Sequence, residues 1–546
     1  MSKLGKSIIS IVIILLPVLI YLVYSFLNSD SLFRSDDFHL LKTVVWMQDV
    51  DSPIEKFKLL IQQHNEHRII FPRLLTWLDY TIEGAINWRT LILIGNLLWI
   101  SVLWFFWKGF ESKQIPVWMF IPIPYILLQP QYYDNVNWAI SILQQSVIVF
   151  WFGLLCMLLT KKKISWAILV AVLATFTHGN GIFSFVIGII FMSLDRDWKW
   201  VIRWICALVV VGVIYFWGFE KGQNADFQAS LSDPLRLIMA FFAFFGALTL
   251  IKLHGTIYPV LCGGLFVLIL GLHLVPKIIL HFTGRAKLLF FDRLLLGNVL
   301  FLGITAALVS VSRSWSGIES ITTARYQHYS PFVACWVYLV IVFALNGKSR
   351  GLFAIVTIVV ALLFNGASYF IYNEEVVFRK NWLVAEAENW TNHAVFLNYA
   401  KSFNDNIREP YSEAVKRGVC KAEPNLLAFD DSKIKLDSSV RLSVSRRILE
   451  DRDAKSTIPR DYLTISNMEI SGTTYLYLKS ESEKGYWLPT HISRSSFWDL
   501  LAHRTLKKPG FFVELATENL RDGNYKIGVF NDGNLFWTIE KIQISR

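Results

Sequence analysis

The sequence predicts a mainly α, polytopic transmembrane bundle of about eleven crossings, followed by a C-terminal extracytoplasmic α+β domain that ends in a small β-sandwich. Three observations carry this. Of 546 residues, 54% are hydrophobic and 15% aromatic, and they gather in long runs that a soluble core does not require. Much of the Lys and Arg lies in short turns between those runs, as in KKK at 161–163 and NGKSRG at 346–351. The last stretch alternates apolar and polar residues around Asp-Gly pairs at 522–523 and 532–533. The net charge of +11 therefore reads as cytoplasmic anchoring to a lipid bilayer, not as a nucleic-acid surface.

A bilayer core needs roughly 20 apolar residues per helix. The leading run, IISIVIILLPVLIYLVYSFL, reaches that length, so an uncleaved first helix with a cytoplasmic N-terminus is expected. Candidate spans are 7–27, 89–107, 115–128, 141–160, 164–177, 182–194, 200–218, 235–252, 256–275, 294–311, 331–346 and 351–371. Twelve crossings would turn the basic segment PKIILHFTGRAKLLFFDR at 276–293 outward. Treating 235–252, which runs into Lys252 and His254, as a half-buried helix leaves eleven crossings and keeps the basic turns 108–113, 161–163, 195–199, 276–293 and 346–351 inside. Segments 28–88, 129–140, 178–181, 219–235 and 312–330 then face out, as does everything after about 372.

Two domains follow: a membrane module, 1–371, with outer loop 28–88, and a soluble domain, 372–546. The soluble domain begins with helical periodicity, then GFFVELA, GNYKIGVFNDG and NLFWTIEKIQIS read as strands. Of five cysteines, Cys156, Cys206, Cys262 and Cys335 fall in apolar segments and only Cys420 in a polar one, so small apolar fillers are expected.

Five outer segments hold residues able to do chemistry. FRSDDFHLL places Asp36 and Asp37 beside the first span. They cap the helix that follows, or one of them is a general base poised beside a hydroxyl. QQHNEHRIIFPRLL carries His64, Glu66, His67, Arg68 and Arg73. On a helix, His64, His67 and Arg68 share a face, a donor set that suits phosphate, and an interfacial helix with snorkelling cations is the plainer alternative. His64, Glu66 and His67 also admit a metal, although their order is not that of a zincin. QPQYYDNVNWAISILQQS offers Tyr133, Asp134, Asn137 and Trp138, a mixture that suits either a sugar-facing surface or an aromatic belt. THGNGIF sets His178 and Asn180 between glycines that permit a tight turn. SRSWSGIESITTARYQHYS holds Arg313, Glu319, Arg325 and Tyr326 in an outer loop, where arginine runs against the topological bias.

The acidic pair after a first helix, together with the HNEHR, FPRLL, NVNW, HGNG and ARY segments, resembles the GT-C superfamily of membrane glycosyltransferases over about residues 1–345. Some similar proteins decorate bacterial O-antigen with glucose. The resemblance implies an inverting hexosyltransferase in a bacterial inner membrane, with its C-terminal domain in the periplasm. Its donor would be a sugar on polyprenyl phosphate and its acceptor a surface glycan such as lipopolysaccharide O-antigen. Asp36 or Asp37 would be the catalytic base. His64, His67, Arg68, Arg73, Arg325 and Tyr326 would hold the donor phosphate, and Glu66, Tyr133, Asp134, Asn137, Trp138, His178 and Asn180 the substrates. A donor-synthesising transferase and a flippase would serve the same pathway. A divalent cation, Mg or Mn, is compatible with the scheme but not required, and no residue is assigned to a metal. An O-antigen polymerase or ligase, or a transporter of lipid-linked glycan, is the competing reading.

Overall fold

The computed structural model describes residues 3–220, 222, 225–251, 255–421, 427, 435–436, 441–451, 456–466, 473–480, 484–495, 502, 504 and 507–544. The chain is mainly helical, with long apolar helices and a strand-rich C-terminal region. It divides into two compact units. The first comprises Met1–Ser29, Trp46–Asp79 and Trp88–Asn373, and the second Asp30–Val45, Tyr80–Asn87 and Glu374–Arg546.

Among the described residues, nine helices are long and apolar enough to cross a membrane. Three shorter apolar helices, Val117–Leu127, Ile164–Thr175 and Gly179–Leu194, complete the twelve segments marked in the sequence. The first of these is short because Pro116, Pro122 and Pro124 remove amide donors and break the run. The segment expected to be half-buried is a helix, Pro234–Gly246, extended by a tighter turn, Ala247–Ile251. It packs on Ile257–Phe282 through Gly246 and Gly263, where a Cβ would lie 2.0 Å from Pro259 O or 1.8 Å from Phe242 O. Lys252 and His254 lie outside the described residues.

The basic stretch 276–293 is not the loop the sequence suggested. Ile257–Phe282 continues through its first part, and the next helix, Phe290–Arg313, begins within it. Three of its charged residues, Lys277, Asp292 and Arg293, are in ion pairs. Asp292 Oδ1 accepts from Lys277 Nζ (2.5 Å) and lies 3.0 Å from His273 Nε2. Arg293 donates to both oxygens of Asp195 (2.7 and 2.9 Å), which also takes Lys162 Nζ (2.8 Å). The turns at 162, 195 and 293 therefore meet at one end of the helices that carry them. Midway, Phe152 and Phe301 stack at 3.7 Å within a core that includes Trp99, Phe106 and Trp336.

In the second unit, the C-terminal part of helix Gly347–His393 and the helix Lys401–Lys416 precede the strands. The described strands of the chain are β1 Gln63–His64 and β2 His67–Arg68 in the first unit, then β3 Lys435–Leu436, β4 Arg441–Asp451, β5 Ser456–Ser466, β6 Thr474–Lys479, β7 Tyr486–Pro489, β8 His491–Arg494, β9 Lys507–Leu515, β10 Gly523–Asn531 and β11 Asn534–Ile544. Two sheets, ordered β3-β11-β10-β6-β7 and β4-β5-β9-β8, share one core through Leu463, Phe511 and Val513 on one side and Leu476, Ile527 and Val529 on the other. All these pairings are antiparallel except β3 with β11. Asp532 (φ 46°) and Gly533 (φ 82°) form the two-residue turn between β10 and β11, as the Asp-Gly pair predicts. Parts of the 28–88 loop belong to this unit. Phe33 packs on Phe396 and Tyr411, and Ile86 N–H donates to Val419 O (2.8 Å).

Candidate functional site

The acidic pair sits in the second unit, on a single tight turn, Ser35–Asp37. Ser35 has φ 45° and its amide donates to Tyr399 Oη (2.9 Å). Asp37 is buried, and its Oδ2 accepts from the Arg34 amide (3.0 Å) while its own amide returns to Arg34 O (2.9 Å). These bonds make Asp37 a tie that closes its own turn onto Arg34, a different role from the cap on the following helix foreseen for one acid. Asp36, its neighbour, is half-exposed. Arg34 lies 6.0 Å over the Trp382 ring, which itself meets Tyr399 at a tilt of 40° with ring centroids 5.1 Å apart.

In the first unit, residues 63–68 form a hairpin, not the expected helix. His64 pairs with His67 across the turn, and Asn65 takes the left-handed conformation (φ 46°) that asparagine tolerates. His64 is buried within it. Arg68 donates to the main-chain oxygens of Tyr215 (2.5 Å), Ile61 (2.6 Å) and Trp217, and Arg73 to those of Leu60 (3.0 Å) and Gln62. These arginines hold the loop main chain. Burial lowers both guanidinium pKa values, that of Arg73 to about 10 with the Arg68 charge adding to the effect, and both remain cations.

A cavity of about 410 Å³ collects residues from four of the five segments. Its charged lining residues are Glu66 and Arg313, joined by His67, His178, Asn180 and Tyr326, with walls that include Phe183, Phe216, Phe219 and Phe227. The His67 and His178 rings lie 4.3 Å apart. Burial, then the Arg313 charge, lowers the His67 imidazole to about 4, and burial, then His67, lowers His178 to about 3, so both are neutral at pH 7. Gly179 is required beneath this pair, because a Cβ there would lie 2.6 Å from His67 Nδ1. Gly181 has no room either, at 2.0 Å from Ala174 O. Neither glycine has positive φ, so the expectation of a glycine-permitted backbone gives way to close approach.

A buried chain of hydrogen bonds supports the cavity. His178 Nδ1–H donates to Asn180 Oδ1 (2.7 Å), and Asn180 Nδ2 to Thr305 Oγ1 (3.0 Å). The other ring nitrogen of His178 meets Gln145 Nε2 (3.2 Å), and Gln145 O accepts from His328 Nε2 (2.8 Å). His328 Nδ1 is met by Asn135 Nδ2 (2.9 Å), which also donates to Arg325 O (3.0 Å). Gln145 stands on a π-helical turn, Ile142–Ser146, a device that re-aims side chains inside a helix.

The placement differs from expectation in two respects. Arg313, not Arg325, lines the cavity. Arg325 lies 5.4 Å over the Tyr326 ring. Segment 129–146 takes part through Asn135 and Gln145, while Tyr133, Asp134, Asn137 and Trp138 are not among the cavity's lining residues, and Tyr133 lies against Tyr372. Among the described residues, no group of three His, Cys, Asp or Glu is placed to hold a metal, His64, Glu66 and His67 included. Comparison of the chain with family models, with curated proteins and with solved structures yields no match.

Proposed function

We propose that this protein is a bacterial inner-membrane glycosyltransferase that moves a sugar from a polyprenyl-phosphate donor to a surface glycan in the periplasm. One observation carries the reading: the cavity is amphipathic. Arg313, two neutral imidazoles, Asn180 and Tyr326 give it a polar end able to bind a phosphate. Its walls are apolar, and three of them, Phe216 (53%), Phe227 (42%) and Leu308 (38%), are exposed on the helix surface as well. A sugar phosphate with a long apolar tail matches both properties. In this reading the Lys162, Asp195 and Arg293 end of the helices is cytoplasmic and the His178 end, with the cavity, is periplasmic.

Asp36, half-exposed, is the base, and Asp37 fixes its turn. Asp36 takes the acceptor hydroxyl proton. The freed oxygen attacks the anomeric carbon, the bond from that carbon to the phosphate oxygen breaks, and polyprenyl phosphate leaves with the bonding electron pair. One displacement inverts the anomeric centre.

The test compares Asp36→Asn and Arg313→Gln with a deletion strain at equal membrane levels, reading the surface polysaccharide by mass. Both variants should lose the same single-sugar mass as the deletion. Unchanged glycan in both variants overturns the assignment. Loss of polymer length, with every sugar mass retained, points instead to a polymerase or ligase.

A further inference from the structure

The second unit contains a cavity of about 320 Å³ that the transferase chemistry does not use. Glu375, Phe378, Arg379 and Trp382 line it from one face of helix Gly347–His393, at spacings of three, four and seven residues. His491 and Glu514 line it from β8 and β9. Its aromatic side is rigid. Phe378, His491 and Phe512 form a ladder of stacked rings with centroids 3.7 and 4.7 Å apart. Trp382 is half-exposed and is backed by Tyr399 at 5.1 Å.

We propose that this cavity binds a short segment of neutral glycan, the acceptor of the reaction. A sugar ring presents a face of C–H groups and a rim of hydroxyls. Flat side chains cover the face, and carboxylates and a guanidinium take the rim. Trp382 and Phe378 supply the first, and Glu375, Glu514 and Arg379 the second. The charge balance argues against other ligands. Two carboxylates beside one arginine repel an anion, and three charged groups make a poor seat for a lipid tail. His491 adds no positive charge near neutrality, since burial and then Arg379 lower it to about 4. Rings already held by their neighbours lose little freedom when a ligand stacks on them.

The position suits an acceptor. Trp382 touches Arg34 and Tyr399, and Tyr399 Oη receives the Ser35 amide, so the wall of this cavity also braces the turn that carries Asp36. That the bound glycan is the acceptor rests on the transferase reading. That the cavity binds glycan does not.

The test uses the full chain in lipid nanodiscs and oligosaccharide released by mild acid from the host's surface polysaccharide, with binding measured by calorimetry. Wild type and Asp36→Asn should bind alike. Trp382→Ala should weaken binding by about ten-fold or more, ~1.4 kcal/mol. Glu514→Gln, on a half-exposed strand position, should weaken it as well without disturbing the Trp382–Tyr399 contact. No binding by wild type, or affinity unchanged in both cavity variants, overturns the inference. If Asp36→Asn nevertheless abolishes transfer in cells, the transferase reading stands without this subsite. Binding that depends on Trp382 and Glu514, with normal transfer by Asp36→Asn, keeps the subsite and removes the assigned base.

Discussion

The helices Ile164–Thr175 and Phe183–Leu194 begin and end in two different electrostatic settings. At the Lys162 and Asp195 end, full charges are locked together: Arg293 meets Asp195 with two parallel bonds, and Lys162 adds a third. At the His178 end, polarity is carried by neutral imidazoles, amides and hydroxyls, with Arg313 and Glu66 the charged groups of the cavity. The contrast is one of task. Paired ions fix three turns in place but leave no charge for a ligand. Neutral donors line most of the polar cavity wall, where the charged groups, Arg313 and Glu66, are of opposite sign.

Breaking the ionic end should have the largest effect. Asp195→Ala leaves Arg293, whose side chain is 10% exposed, without its carboxylate, and the expected loss is about 3–5 kcal/mol. A thermal melt in detergent checks this, with Lys162→Ala as the reference, since that side chain is 62% exposed. Equal shifts for the two variants would dissolve the contrast.

The neutral end should instead show itself through pH. The imidazole of His178 falls from 6.5 to about 3 on folding, and that of His67 from 6.5 to about 4. Below pH 6.5 the unfolded chain binds protons that the folded chain refuses, so this stability is complete above 6.5 and is lost as pH falls toward 4 and then 3. Each ring should account for about 1–2 kcal/mol at pH 5. His178→Gln should flatten the acid side of a stability profile, and an unchanged profile would mean that the ring titrates freely in the folded state. The smallest effect belongs to the exposed pair Lys108–Glu111 (2.7 Å), where Lys108→Ala should cost no more than ~0.5 kcal/mol and should lose even that in high salt.

How much of this was legible varies with distance along the chain. The twelve apolar segments could be read because each is an apolar run, nine of them of spanning length and three shorter, and the β10–β11 turn because Asp-Gly is a local signal. The 63–68 hairpin could not, because the His64, His67 and Arg68 spacing also fits a helix and the left-handed Asn65 leaves only a weak mark. Arg313 and Arg325 stand in the same outer loop, and only the folded chain separates them. Asn135 and His328 are 193 residues apart, and His328 and Gln145 are 183 apart, so the network exists only in three dimensions. The same holds for β4 to β8, whose sequences carry no Asp-Gly punctuation and went unread.

The π-helical turn at Ile142–Ser146 accommodates one residue more than a regular helix would. Such a turn frees a main-chain carbonyl from its usual partner, and Gln145 O gives its acceptor to His328. A lineage that lost a single codon here would regain an ordinary helix, straighter and better bonded, while the residues before the deletion turned by roughly 100° about the axis. The bond from His328 to Gln145 O, and with it one link of the buried network, thus depends on a single inserted residue.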